Sequence, residues 1–245
     1  MSTQYDAVAE DYQTSKRLPV FEVFEHTLLT RLGDVRGQSI LDFACGEGFN
    51  TRRLKQLGAG RTVGVDISEE MIRLAREQEK RRPLGIEYIK NSAQQLGKIG
   101  EFDLVTAVFL LNYGESRDDL VKICQAVYDN LKPGQRFVTI NDNCGKGAAR
   151  PEGFRRYGFG YKVGSPVGDG DKLNLEILVG GASFITIEFR CFSRETYEWA
   201  LRTAGFTAVT WHDLVVPPEL ESKDGKEFWD GLREGAPVTL IECWK

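Results

Sequence analysis

A glycine-rich turn and an acidic residue stand close together in the first half of the chain. The segment ILDFACGEGFNT (40–51) is an apolar run that breaks at Gly46 and Gly48 and then meets residues able to begin a helix. Glycines let the backbone pass close to a ligand, and the first N–H groups of a helix attract an anion. Asp66 lies near the end of the next apolar run, TVGVDI (62–67), where a carboxylate can accept both hydroxyls of a ribose. This pattern predicts a site for a nucleotide-like molecule.

Two common phosphate sites match this turn poorly. A dinucleotide site has the pattern GxGxxG, but Thr51 stands where the third glycine belongs. A P-loop requires a lysine followed by serine or threonine, and no lysine directly follows these glycines. The turn is therefore more typical of a site whose ligand is not held through phosphate groups.

The segments around the turn alternate between strand and helix patterns, which predicts a doubly wound, mostly parallel α/β sheet with helices on both faces. In such a sheet the carboxyl ends of the strands lie at one edge, so the glycine turn and Asp66 come together there. Five strands are predicted at 39–44, 62–67, 86–90, 102–111 and 135–141, and four helices at 20–32, 49–57, 68–81 and 118–131.

The pattern changes after the fifth strand. Residues 142–182 are rich in glycine and aromatic residues, and the runs 173–179 and 183–192 predict an antiparallel pair. We interpret 142–192 as an insertion that covers one end of the sheet. The chain then returns to a helix and two strands, predicted at 193–205, 207–215 and 237–244. The prediction is one domain over residues 1–245 with a seven-stranded, Rossmann-like sheet.

Four motifs, in this order, resemble the class I S-adenosylmethionine-dependent methyltransferases over residues 35–142: LDFACGEGFNT, VGVDISEEMIRLAR, EFDLVTAVFLLNY and LKPGQRFVTI. The resemblance implies S-adenosyl-L-methionine as cofactor, S-adenosyl-L-homocysteine as product, and a sheet that ends with an antiparallel strand. It places Gly46 and Gly48 at the methionine part and Asp66 on the ribose. The implied cofactor contacts are Tyr12, Ala44, Gly46, Gly48, Asp66, Ile67, Met71, Ser92, Ala93 and Val108.

Two positions depart from the family pattern. Ala44 stands where the family often has glycine, and we expect the turn to accept alanine without a positive φ. Ser92 stands where an acid usually contacts the adenine amino group, and Ala93 is expected to offer a backbone N–H. Ile67 and Met71 are expected to pack on the adenine.

The N-terminal arm YDAVAEDY (5–12) resembles the Y-D-x-x-A-x-x-Y arm that closes over the cofactor in small-molecule methyltransferases. Tyr5 and Tyr12 are therefore expected beside the sulfonium, because a cation over an aromatic ring is favourable by about 0.5 to 2 kcal/mol. We predict that residues 1–34 form this lid and its supporting helix.

The insertion indicates the class of methyl acceptor. Its segment ARPEGFRRYGFGYKVG (149–164) combines aromatic side chains with arginines, which suits a flat heteroaromatic substrate. Asp142 and the asparagines that end the fourth and fifth strands are expected to face the same cleft. The predicted substrate contacts are Tyr5, Asn112, Asn141, Arg150, Tyr157, Phe159, Tyr161 and His212.

Length, opening residues and the aromatic insertion resemble the N-methyltransferases of toxoflavin biosynthesis, which act on ring nitrogens of an azapteridine. Methyl transfer from a sulfonium is an in-line displacement that depends on alignment, so no catalytic residue is assigned. Two alternatives stay open: a metal-dependent O-methyltransferase, suggested by NDN (141–143), and a binding protein that transfers no methyl group. For the preferred class no metal is expected.

Charge and composition limit the partners. The net charge is -4, and lysines and arginines are scattered along the chain, which argues against a nucleic-acid partner. The first residues lack a signal-peptide pattern, and no apolar run is long enough for a membrane span. We expect a soluble, cytoplasmic protein with reduced cysteines.

Overall fold

The computed structural model describes residues 4–143, 151–162, 167–180 and 183–245. The strands of these ranges are β1 (Ile40–Phe43), β2 (Thr62–Asp66), β3 (Glu87–Lys90), β4 (Phe102–Val108), β5 (Leu131–Asp142), β6 (Phe159–Lys162), β7 (Asp171–Gly180), β8 (Ser183–Cys191), β9 (Thr210–His212) and β10 (Val238–Trp244). The α-helices are α1 (Ala9–Ser15), α2 (Pro19–Leu32), α3 (Phe49–Gln56), α4 (Glu69–Arg81), α5 (Ala93–Leu96), α6 (Arg117–Asp129), α7 (Arg194–Thr203), α8 (Pro218–Asp224) and α9 (Lys226–Gly235).

Seven strands form the main sheet in the order β3-β2-β1-β4-β5-β10-β9. The first five of these are parallel, and β10 is antiparallel to both β5 and β9. From β1 the chain adds β2 and then β3 on one side of the sheet. It then crosses to the other side of β1 and adds β4 and β5, so the strand order reverses between β1 and β4. Ligands of open α/β sheets bind beyond the carboxyl ends of the strands at such a reversal. The predicted fold, including the antiparallel last strand, is confirmed.

The sheet is buried on both faces because its side chains alternate between two cores. In β1, Ile40 packs in a core with α2, whereas Leu41 and Phe43 pack in a second core with α6 and α7. The ends of the parallel strands are therefore rigidly supported from both sides.

A second, three-stranded antiparallel sheet has the order β6-β7-β8. It contains the predicted antiparallel pair and adds β6, in which Tyr161 pairs with Leu175. The inward residues of this sheet belong to the same core as α2, so it packs over the end of the main sheet.

Several boundaries differ from the predicted ones. The fourth strand ends at Val108, not 111, because Leu111–Tyr113 form a 3-10 helix. The strand predicted at 207–215 comprises only Thr210–His212. It lies at the edge of the sheet and pairs with β10 over these three residues. Helices α8 and α9 were not predicted; both begin near turn residues, and α9 buries Trp229. None of the described helices is long and apolar enough to cross a membrane.

Candidate active site

The turn after β1 has three residues in the left-handed region: Ala44 with φ 51°, Gly46 with φ 56° and Gly48 with φ 86°. The expectation that Ala44 avoids a positive φ is therefore wrong. The backbone must reverse within a few residues after a buried strand, and Ala44 takes the strained conformation that glycine takes without cost.

Asp42 anchors this turn from beneath. Its carboxylate is buried and accepts hydrogen bonds from Thr51 Oγ1 at 2.6 Å and from Thr106 Oγ1 at 3.0 Å. Burial raises the pKa of Asp42 to about 6, while the two hydroxyl donors act in the opposite direction. Because Thr51 lies on α3 and Thr106 on β4, Asp42 fixes the helix to the sheet and holds the turn in place.

Asp66, at the end of β2, joins the turn directly. Its Oδ2 accepts the N–H of Gly46 at 2.9 Å and its Oδ1 accepts the N–H of Ser68 at 2.9 Å. Burial raises the pKa of Asp66, and the backbone donors oppose that shift. The carboxylate is thus held rigidly, with unused lone pairs, at the edge where the strand order reverses.

A cavity opens above these residues. Its lining consists of Tyr5, Tyr12, Phe43, Ala44, Gly46, Val65, Asp66, Ile67, Met71, Asn91, Ala93, Val108, Phe109, Leu110 and Tyr113. Eight of the ten predicted cofactor contacts lie in this lining, and they come from the ends of four strands and from the N-terminal arm. We call it the donor cavity.

Gly48 and Ser92 do not line the donor cavity. A Cβ on Gly48 would collide with the ring of Tyr88, so this glycine is required by packing between the turn and β3. Ser92 borders an outer groove that also contains Ile67 and Asn91, which line the donor cavity as well. Ser92 is thus flanked by two residues of the cavity lining, Asn91 and Ala93, whereas Gly48 packs against β3.

The N-terminal arm closes one side of the donor cavity. Tyr5 and Tyr12 pack edge to face with ring centroids 5.1 Å apart, and the hydroxyls of Tyr5 and Tyr113 share a hydrogen bond of 2.5 Å. Asp6 accepts hydrogen bonds from Ser68 Oγ at 2.5 Å and from the N–H of Glu70 at 3.1 Å. The arm is thereby fastened to the start of α4, just after Asp66.

A second cavity lies beside the first, under the small sheet. Its lining consists of Tyr5, Tyr12, Val20, Phe21, Phe24, Phe109, Asn112, Tyr113, Asp142, Phe159, Tyr161, Leu175, Ile177, Ile187, Phe189 and Val238. Four aromatic residues, Tyr5, Tyr12, Phe109 and Tyr113, line both cavities. We call the second one the acceptor cavity; apart from the tyrosine hydroxyls its polar side chains are those of Asn112 and Asp142.

Three polar groups stand out in the aromatic lining of the acceptor cavity. Tyr161 donates its hydroxyl hydrogen to Asp142 Oδ1 at 3.0 Å, and both side chains are buried. Burial raises the pKa of Asp142 to about 7, against the effect of this hydrogen bond. The amide oxygen of Asn112 is buried and has no hydrogen-bond partner within the described ranges.

Of the predicted substrate contacts, Tyr5, Asn112, Phe159 and Tyr161 line the acceptor cavity, whereas three others lie elsewhere. Asn141 accepts the N–H of Leu111 and donates to Thr139, so its amide is used inside the sheet. Tyr157 stacks on Trp229 and donates to the Phe228 carbonyl.

His212 has its Nε2 3.3 Å from a carboxylate oxygen of Glu242, away from both cavities. The three displaced residues have partners in the protein that a strand pattern does not reveal. Arg150 lies outside the described residues.

Sequence reasoning missed two aromatic residues that line both cavities. Phe109 has a φ of 61°, which is a genuine outlier for a bulky residue, and Tyr113 follows it in the 3-10 helix. Their position after the carboxyl end of β4 is a signal that would have found them, because ligand contacts gather at that edge.

The predicted alternative of a metal site at 141–143 has little support from the side chains there. The amide of Asn143 donates to the Ala236 carbonyl, and that of Asn141 is used as described above. Among the described residues, no group of three His, Cys, Asp or Glu side chains is arranged to hold a metal ion.

Residues 40–134 match a family model described as a methyltransferase domain. The whole fold is similar to the crystal structure of an S-adenosylmethionine-dependent methyltransferase from Mesorhizobium loti, with a TM-score of 0.63 and 20% identity over 91% of this chain and 96% of that chain. Residues 40–134 are therefore similar to a methyltransferase domain, and the chain has the fold of solved methyltransferases.

Two curated proteins are similar to this chain in sequence. The N-demethylindolmycin N-methyltransferase of Streptomyces griseus is 28% identical over 221 residues, which are 86% of this chain and 89% of the relative. The demethylmenaquinone methyltransferase of Lactococcus lactis subsp. lactis (strain IL1403) is 31% identical over 144 residues, 56% of either chain. The chain thus spans about half the length of the Lactococcus relative and most of the Streptomyces one.

Proposed function

We propose that this protein is an S-adenosylmethionine-dependent methyltransferase that methylates a ring nitrogen of a small, flat heteroaromatic molecule. The observation that carries the proposal is the pair of adjoining cavities with a common aromatic wall. One cavity has a glycine turn and a rigid carboxylate, and the other is aromatic with a buried carboxyl group. Two substrates held in cavities that share these lining residues lie next to each other.

The residues of the donor cavity fit S-adenosylmethionine. A Cβ at Gly46 would have only Met71 Sδ within 4.0 Å, so the turn leaves open the space that a methionine moiety fills. Asp66 keeps lone pairs for ribose hydroxyls, and Ile67 and Met71 offer apolar surface to the adenine. The rings of Tyr5, Tyr12 and Tyr113 suit a sulfonium cation.

When bound, this cofactor supplies an electrophilic methyl group. The protein's own contribution is to bind, to align and to exclude water. Asp42 and Asp66 hold the turn, and the arm with residues 1–34 acts as a lid that is fastened through Asp6. Alignment of two reactants in a closed site can supply about 7 to 11 kcal/mol of the barrier, which is enough for a displacement without a protein nucleophile.

The second cavity and the small sheet of β6, β7 and β8 above it support the proposed acceptor class. Aromatic rings from β6 and α2 favour a flat ring system, and the few polar groups in the lining favour a nitrogen heterocycle. The Streptomyces relative is named as an N-methyltransferase, which supports nitrogen as the methylated atom. Within this class we propose an azapteridine of toxoflavin biosynthesis as the acceptor.

Mass spectrometry with methyl-labelled S-adenosylmethionine tests the proposal. The protein is incubated with a panel of azapteridines, pteridines and other nitrogen heterocycles, with phenols and catechols as controls, in the presence of EDTA. We expect labelled methyl on a ring nitrogen of an azapteridine. Product only on phenolic oxygen, or only after magnesium is restored, would contradict the nitrogen assignment, and cofactor binding without product would indicate a binding protein.

A further inference from the structure

The acceptor cavity holds one ionisable group that binding alone does not explain. Asp142 is 3% exposed and stands at the end of β5, in a lining that is otherwise aromatic and aliphatic apart from Asn112 and the tyrosines. A buried carboxylate is costly unless its charge is paired or has a use. Within the described ranges, no Lys, Arg or His side chain lines this cavity.

The groups that face Asp142 are hydroxyls. Tyr161 on β6 donates to its Oδ1, and Tyr113 and Tyr5 line the same cavity from the segment after β4 and from the arm. All of the hydrogen bonds between Asp142 and other side chains of the described residues come from Tyr161. Among the described residues, the carboxylate is otherwise supported by the backbone N–H of Asp142 itself, so it keeps acceptor capacity for a ligand in the cavity that it lines.

Asn112 offers a second acceptor on the same cavity wall. Its amide oxygen is buried without a partner, and such a group costs about 1–3 kcal/mol unless a ligand satisfies it. Two hydrogen-bond acceptors in one apolar cavity call for a ligand with two donors. Ring N–H groups and exocyclic amino groups of a nitrogen heterocycle are such donors.

We propose that Asp142 is the catalytic base of the acceptor cavity and that Asn112 orients the acceptor through a second N–H group. The inference rests on the proposed function. As the nitrogen forms its bond to the methyl carbon, the carbon–sulfur bond breaks and the sulfonium becomes a neutral thioether. The N–H proton passes to the Asp142 carboxylate, which later returns it to water.

Charge balance favours this step in a dry site. A carboxylate and a sulfonium are both present before transfer, and both are neutral afterwards, so the reaction removes two buried charges. The base must be ionised to act, and burial raises the pKa of Asp142 to about 7. The rate should therefore rise with pH through neutrality, which is the range in which a general base is most effective.

Asp142→Asn tests the assignment with two azapteridinediones that differ in one substituent, so that the N–H of one is ionised at pH 8 and that of the other is neutral. We expect kcat with the neutral acceptor to fall by about 100-fold or more, the range for loss of a general base. With the ionised acceptor, kcat should change by less than about threefold, since no proton has to be removed. An equal loss with both acceptors, or no loss with either, would overturn the proposal.

Binding provides a readout that does not depend on turnover. In complexes with S-adenosylhomocysteine, calorimetry should show that Asp142→Asn binds the ionised acceptor more tightly than the unaltered protein, because a like charge has been removed. Tyr161→Phe removes a donor to the carboxylate and should move the acidic limb of the kcat/KM profile to higher pH. Unchanged affinity and an unmoved profile would contradict the proposal.

Asp129→Asn, at the end of α6 and outside the lining of both cavities, is the matched control and should leave every measurement unchanged. If the unaltered protein binds S-adenosylmethionine but methylates neither heterocycle, the proposed function fails. Failure of the base alone instead leaves the unaltered protein active and Asp142→Asn equally active.

Discussion

The Oδ2 atom of Asp66 accepts the backbone N–H of Gly46 across 2.9 Å, which joins the end of β2 to the turn after β1. Twenty residues of sequence and one helix separate the two positions, yet the parallel pairing of β1 and β2 makes them neighbours. The same carboxylate lines the donor cavity. The Asp66 carboxylate therefore both fixes the turn and lines the donor cavity.

Asp66→Ala should weaken S-adenosylmethionine binding by about 1.5 to 3 kcal/mol, the range for hydrogen bonds to a charged group. Calorimetry measures the dissociation constant. Glu87→Ala, on the exposed side of the neighbouring strand, is the control and should bind as the unaltered protein does. An unchanged dissociation constant for Asp66→Ala would remove this residue from the site.

Ala44→Gly should stabilise the protein, because Ala44 has a φ of 51° that glycine adopts without strain. We expect the free energy of unfolding in urea to rise by about 1 kcal/mol. Ala126→Gly in α6 is the opposite case, where glycine should lower that free energy by about 0.5 to 1 kcal/mol. Destabilisation of comparable size by both substitutions would contradict the strain at Ala44.

Asn112→Leu should separate stability from function. Removal of a buried amide without a partner for its oxygen should raise the free energy of unfolding by about 1 to 3 kcal/mol, while KM for the acceptor rises. Asn130→Leu is the matched control. Its amide makes three hydrogen bonds, so the same substitution there should destabilise the protein strongly. A loss of stability in Asn112→Leu would show that its oxygen is satisfied within the protein.

Asp6→Ala should loosen the arm over the donor cavity, because the Asp6 carboxylate accepts hydrogen bonds from the Ser68 hydroxyl and from the N–H of Glu70. The two lost hydrogen bonds contribute about 0.5 to 1.5 kcal/mol each, so cofactor affinity should fall by roughly fivefold or more. Asp11→Ala, an exposed position on α1, tests whether any change of charge on the arm has this effect. Equal affinities for all three proteins would dismiss the fastening role.

The sheet and the donor cavity could be predicted from the sequence because local patterns determine them. Apolar runs that alternate with helical spacing define the order of strands and helices along the chain, and parallel strands must bring Gly46 and Asp66 to one edge. Eight of ten predicted cofactor contacts consequently line one cavity. Whether they contact the cofactor is what the substitutions above test.

The acceptor side was harder to predict, because its residues meet through the packing of two sheets. Phe159 and Tyr161 line the cavity, but Tyr157, from the same aromatic segment, stacks on Trp229 of a helix that no pattern predicted. His212 and Asn141 follow strands as predicted, but their side chains have partners within the main sheet. The sequence pattern predicts the strand that a residue follows, but it does not predict which groups its side chain contacts.

We propose that the space above Gly46 holds the methionine part of S-adenosylmethionine. Calorimetry of the cofactor with Gly46→Ala and Gly134→Ala tests it most directly, because both glycines have a positive φ and neither has a neighbour closer than 4.0 Å to an added Cβ. The substitutions are thus equally strained, but only Gly46 lines the donor cavity. We predict one-to-one binding that Gly46→Ala abolishes or weakens by at least about tenfold, or 1.4 kcal/mol, and that Gly134→Ala retains. Absence of binding to the unaltered protein, or equal binding to both variants, would contradict the account.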